Sequence, residues 1–303
     1  VVVEDCDIVW TSLRTFALGE KESSGAIKFG NTGAGNKIRR CRFWLCAGEC
    51  INIGKRTEAT EAEPFVIEGN LVADPNHSAL YNVQARNTEF RGNTVLYHEN
   101  VNPYSKAGRK AGSAALRIKD EDSGAGAVDS RNVRYEGNLA INARLLVEVG
   151  GTKLAQKNCA MHNNPLIAGP YTLKGISLVA GANNQGTQVD FRRNVVHWGR
   201  HLDDAVGIAD GPRTQCTFRD NAWSERPAES PRGEGDYYGD LQLVAPDTPL
   251  LATGNAFPLS WAEWQRDGLR SSFDPANYRP RENSPLVRGN VTWGALPAGP
   301  VGP

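Results

Sequence analysis

Val133-Arg134-Tyr135-Glu136-Gly137-Asn138 reads apolar, variable, apolar, two polar or small residues, then Asn. The order recurs in Phe65-Val66-Ile67-Glu68-Gly69-Asn70, Thr88-Glu89-Phe90-Arg91-Gly92-Asn93, Val189-Asp190-Phe191-Arg192-Arg193-Asn194 and Cys216-Thr217-Phe218-Arg219-Asp220-Asn221. Weaker copies end at Asn164, Asn255 and Asn290. The Asn positions are separated by 23 residues (70 to 93), 26 (138 to 164), 30 (164 to 194), 27 (194 to 221) and 34 (221 to 255). The step from 93 to 138 is 45, and its surplus falls in the polar, basic, turn-rich run from Glu99 to Gly112, which predicts a long loop. Self-similarity at this period, with strand-like alternation, marks a solenoid in which each repeat buries its apolar face against the next.

A second strand is expected after each Asn turn, in Ala26-Ile27-Lys28-Phe29, Cys50-Ile51-Asn52-Ile53, Ala79-Leu80-Tyr81-Asn82, Ala115-Leu116-Arg117-Ile118, Leu146-Val147-Glu148-Val149, Gly175-Ile176-Ser177-Leu178 and Ala205-Val206-Gly207-Ile208. Each alternates apolar with variable residues, so one side is expected to face a core and the other solvent. The fold class this implies is all-β, a right-handed parallel β-helix over residues 1–256. Residues 257–303 are expected to form an irregular capping tail that covers the unpaired strand edges at the open end.

The repeated Asn suits a corner that needs a left-handed backbone and a side-chain amide able to bond its neighbour. At a strand separation of about 4.8 Å such residues can donate to one another up a column. Cys6 and Cys46 align with the Asn position of the two earliest coils, and Cys41, Cys159 and Cys216 with an inward column, so packing cysteines are expected. The one disulfide that the spacing admits is Cys6 with Cys46. No Cys or His spacing suggests zinc.

Lys plus Arg and Asp plus Glu number 34 each, so no global field draws the chain to nucleic acid or an anionic membrane. No apolar run approaches the length of a membrane span. Gly at 32 and Pro at 17 fit many turns between short strands. The chain begins at Val1 without Met or a signal peptide and reads as processed or excised. Its oligomeric state is not legible.

The repeats resemble the pectate-lyase-like β-helix superfamily, especially its secreted bacterial repeat proteins of polysaccharide metabolism. The likeness covers roughly residues 1 to 256, and the tail around Trp261, Trp264, Ser272-Phe273-Asp274-Pro275 and Asn283-Ser284-Pro285 is similar to the closing segment of those proteins. A narrower likeness is to polygalacturonase-type glycosidases: Arg117-Ile118-Lys119 matches their Arg-Ile-Lys motif, Gly48-Glu49-Cys50-Ile51-Asn52-Ile53-Gly54 resembles the segment around their acidic pair, and Asn76-His77-Ser78 falls where their Gly-His-Gly would be. The resemblance implies a secreted, cell-surface or periplasmic protein with a polysaccharide partner. Inverting hydrolysis needs two carboxyl groups across the scissile bond. Here Glu49 has no second acid in register, and Gly25 stands where the first Asp belongs.

The outward column of the second strands is expected to run Lys28, Asn52, Tyr81, Arg117, Glu148, Ser177, Gly207 and Gln242, so that Tyr81, Arg117 and Glu148 touch. Lys119 projects beside Arg117, and His77 and Glu49 lie at the preceding corner. On a uronate-containing polysaccharide, Arg117 and Lys119 would neutralise the carboxylate and acidify its neighbouring proton, which Tyr81, His77 or Lys119 would remove in β-elimination. Glu148 completes the candidate catalytic set. Asn52, Lys106, Arg109 and Lys110 of the long loop, Asp204 and Trp198 are the candidate substrate contacts. Carboxylates at Asp120-Glu121-Asp122 and Asp203-Asp204 offer calcium ligands, but no cofactor is required. The bland alternative is an Arg117–Glu148 cross-strand ion pair on the face of a non-catalytic adhesin, spike or carbohydrate-binding β-helix.

Overall fold

The computed structural model describes residues 1–9, 11, 25–46, 48–54, 57–101, 114–121, 128–151, 154–180, 187–198, 216–227, 232–255 and 260–287. The chain is all-β, with its strands gathered into three long parallel sheets. It visits them in rotation: Phe65–Glu68 lies in the first sheet, Leu71–Ala73 in the second and Leu80–Asn82 in the third. The next coil repeats the order with Ala85–Arg91, Thr94–Leu96 and Ala114–Asp120. Each strand pairs in parallel with its counterpart one coil away, as Phe90 does with Ile67 and Tyr135. This arrangement is compatible with a parallel β-helix. Among the described residues no helix is long and apolar enough to cross a membrane.

Coils therefore carry three strands where the sequence suggests two. The extra strand follows the Asn corner directly and is three residues long in Leu71–Ala73 and Leu139–Ile141, too short for alternation to register. Its central residues, such as Val72, Val95 and Ala140, turn inward to the core between the sheets. That core stacks like on like: Phe90 lies on Tyr135 with ring centroids 4.2 Å apart, and Phe191 on Phe218 at 4.7 Å.

The Asn column is a continuous buried ladder through Asn70, Asn93, Asn138, Asn164, Asn194 and Asn221. The Asn93 Nδ2 donates to Asn138 Oδ1 at 2.8 Å and to the Ile67 carbonyl at 2.9 Å, while its Oδ1 accepts from the backbone N–H and Nδ2 of Asn70. The left-handed corner belongs to the residue before each Asn, at Gly69, Gly92, Gly137, Asn163, Arg193 and Asp220, so the amide is retained for hydrogen bonding, not for backbone freedom. The column begins, as the sequence suggests, with Cys6, which register places opposite Cys41; the Cys41 N–H donates to Asn70 Oδ1, and the last position is Asp236, whose Oδ1 accepts from Asn221 N at 2.7 Å. Cys46 and Asn255 lie off the ladder, and Asn290 is outside the described residues. All six cysteines are free, with Cys6 exposed and Cys46 buried, so the Cys6–Cys46 disulfide is not formed. Cys46 sits five residues past the corner, beside Cys50, and not opposite Cys6.

The described chain from Leu241 to Leu286 covers one side of the coils. Leu241, Leu243, Leu250, Leu269, Tyr278 and Leu286 pack on the outward residues of the second sheet, among them Leu71, Leu96, Leu139 and Ile167. The helix Trp261–Asp267 is capped by Ser260, whose Oγ accepts from Glu263 N and donates to the Glu263 carboxylate.

Candidate functional site

The third sheet builds the site. In Ala114–Asp120 the residues Leu116 and Ile118 turn inward and are fully buried, which forces Arg117 and Lys119 to the other face. Register then aligns Lys28, Asn52, Tyr81, Arg117, Glu148 and Ser177 on consecutive strands. Gly207 lies outside the described residues, and Gln242 follows the last strand of the second sheet and is not part of this one.

The face is not solvated as the alternation suggests: Arg117 is 5% exposed and Glu148 7%, and Asn52, Tyr81 and Ser177 are buried with them. The Arg117 Nε lies 2.8 Å from Glu148 Oε2, its Nη1 donates to Ser78 Oγ at 2.9 Å, and its Cζ sits 4.5 Å from the centroid of the Tyr81 ring. Lys119 Nζ stands 3.6 Å from Glu148 Oε1 and 3.7 Å from Glu121 Oε1. Its partner in the next strand is Gly150, so no side chain crowds it there.

Glu49 is the acid of the corner. Burial pushes its carboxyl above the usual range, against the hydrogen bond from Asn52 and the charges of Lys28 and Arg117, and the Glu121 charge pushes it further up. Asn52 Nδ2 is 3.4 Å from Glu49 Oε2, and His77 Nδ1 is 3.7 Å from Glu49 Oε1. Burial also pushes the Tyr81 hydroxyl up, out of reach of a general base near neutral pH. Asn52 Oδ1 and the Tyr81 hydroxyl are buried without a hydrogen-bond partner, so two neighbouring positions of the column hold unspent polar capacity, while Arg117 Nε is engaged by Glu148.

The structure thus gathers Tyr81, Arg117, Lys119, Glu148, His77, Glu49 and Asn52. It adds Ser78 and Glu121, which the sequence signalled only as the residue after His77 and as a member of an acidic run. Trp198 is placed elsewhere: it is buried in the core, and a Cβ on Gly175 would lie 2.4 Å from its ring, so it is no surface platform. Lys106, Arg109, Lys110, Asp203 and Asp204 lie outside the described residues. Asp120 turns inward to Ser130, and no cluster of three or more His, Cys, Asp or Glu side chains that could hold a metal occurs among the described residues. No known family profile matches the chain, and no curated protein matches it.

Proposed function

We propose that the protein is a right-handed, pectate-lyase-like β-helix that is secreted and acts on an acidic, uronate-containing polysaccharide at the third-sheet column, by β-elimination. The observation that carries this is the pair of unspent buried polar atoms on Asn52 and Tyr81, beside the cations Arg117 and Lys119 and the carboxyl groups of Glu49, Glu121 and Glu148. A uronate carboxylate pairs with Lys119 and with the N–H groups of Arg117, drawing charge from the carbon next to it. His77, half-exposed and oriented by Glu49 and Ser78, takes the proton from that carbon. The glycosidic oxygen then leaves as a carbon–carbon double bond forms, and a proton from a neighbouring acid completes it.

A second reading rests on one observation, the carboxyl of Glu49, which burial and the neighbouring Glu121 push above the usual range. A carboxyl that holds its proton beside a second carboxyl suits the general acid of glycoside hydrolysis. Incubation with pectate, alginate and glycosaminoglycans separates the outcomes. Elimination yields an ultraviolet-absorbing unsaturated end together with a reducing end, and hydrolysis yields the reducing end alone. Neither product and no binding to any of these chains rejects both in favour of a non-catalytic β-helix.

A further inference from the structure

Away from that column, three side chains from distant parts of the sequence form one short hydrogen-bond chain. Asp74 follows the second-sheet strand Leu71–Ala73, and His98 follows the next strand of that sheet, Thr94–Leu96, so register sets them together. Both oxygens of Asp74 face His98: Oδ1 accepts from its backbone N–H at 2.8 Å and Oδ2 lies 2.6 Å from Nδ1. With the proton on Nδ1, Nε2 is an acceptor for the Oγ of Ser271, which lies 2.7 Å away. Ser271 arrives 173 residues later on the strand Arg270–Ser271 of the C-terminal segment, and the Phe273 N–H steadies its Oγ from the other side at 3.0 Å.

Asp74 and His98 are fully buried, and the Trp44 ring stacks on the imidazole with 11° between planes. Ser271 is not sealed with them. It lines a cleft of about 330 Å³ walled by Trp44, Trp261 and Trp264, with Arg42 and Arg270 on its rim.

We propose that Ser271 is the nucleophile of an ester-hydrolysing site, with His98 as its base and Asp74 as the residue that positions His98. The substrate class is a carboxylic ester whose acyl or sugar part stacks on the indoles. Ser271 Oγ bonds to the ester carbonyl carbon while its proton passes to His98 Nε2. The bond to the alcohol oxygen breaks, and the alcohol leaves with the proton from His98. Water, activated by the same nitrogen, then releases the acid and restores the serine. The site does not depend on the uronate reading.

The test is to expose the folded wild-type chain to a fluorophosphonate, locate any adduct by peptide mass spectrometry, and assay short-chain and aromatic nitrophenyl esters. The expected result is a single adduct on Ser271 and ester turnover that falls at least a hundredfold in Ser271→Ala and persists in Ser272→Ala. No adduct on Ser271 of the folded wild type, or turnover that survives Ser271→Ala, overturns the proposal. The labelling result needs no variant to fold, and it stands whatever happens with polysaccharides.

Discussion

Arg117 and Glu148 face each other across neighbouring strands with 2.8 Å between Nε and Oε2, and both are nearly sealed from water. A solvated ion pair contributes little, but breaking a buried one strands a charge. Arg117→Ala should therefore cost about 3–5 kcal/mol, and adding Glu148→Gln should restore part of it, since the stranded carboxylate is then gone. Chemical denaturation of the two variants checks this. A single variant as stable as the wild type would mean that water reaches the pair.

Because Arg117 is built into the fold, the side chain that isolates the chemistry is Lys119, which retains 21% exposure. Lys119→Ala should change stability by less than about 1 kcal/mol. Activity on, or binding to, a uronate chain should fall at least tenfold, with Lys119→Arg recovering part of it. Unchanged kcat/KM on a substrate that the wild type cleaves would place the carboxylate elsewhere.

Asp120 gives the molecule a pH signature. Burial, opposed by the Ser130 hydrogen bonds, pushes its carboxyl up to about 6. In the unfolded chain it titrates near 3.9, so between these values the folded state holds the extra proton. Its contribution to stability is complete below about pH 4 and is lost as pH rises through about 6, on the order of 3 kcal/mol. Unfolding free energies measured from pH 4 to 7 should fall less steeply for Asp120→Asn than for the wild type. Identical slopes would remove Asp120 as the cause.

Asn194→Leu should destabilise by several kcal/mol. Asn194 Oδ1 accepts from the N–H and Nδ2 of Asn164, and its Nδ2 donates to the Met161 carbonyl and to Asn221, so Leu leaves buried partners at about 1–3 kcal/mol each. Thermal melts of this variant beside Asn221→Leu, nearer the end of the ladder, should show the larger drop at Asn194.

Thiol titration tests the cysteines. Cys6 is exposed and should react first in the native protein, while Cys159 and Cys216, pushed up to about 12 by burial, should wait for unfolding. Six reactive thiols in denaturant without reductant are expected, and four would restore a disulfide.

The third-sheet register was legible because Leu116 and Ile118 alternate with Arg117 and Lys119, and a period of two fixes facing once the core side is known. The same alternation says nothing of what covers the outer side, which is why a buried Arg117 reads as a solvated one. Gly69-Asn70, Gly92-Asn93 and Gly137-Asn138 carried the corner in plain view, with the left-handed residue one position earlier than expected. The coil that ends in Asp236 escaped because a carboxylate replaces the amide only 15 residues after Asn221. Nothing in local sequence could join Ser271 to His98, since that contact depends on where the C-terminal segment lies against the second sheet.

The Asn column also has a direction. From Asn70 to Asn194 every Nδ2 points to the Oδ1 of the following coil, and Asn221 directs its own at a carboxylate oxygen of Asp236. Six side-chain amides thus stand head to tail, and their dipoles add as peptide units do in an α-helix. The donor end of that column meets a negative charge, as a helix start meets an acidic cap. The stack behaves as a polarised rod down one edge of the molecule, with Asp236 as its counter-charge.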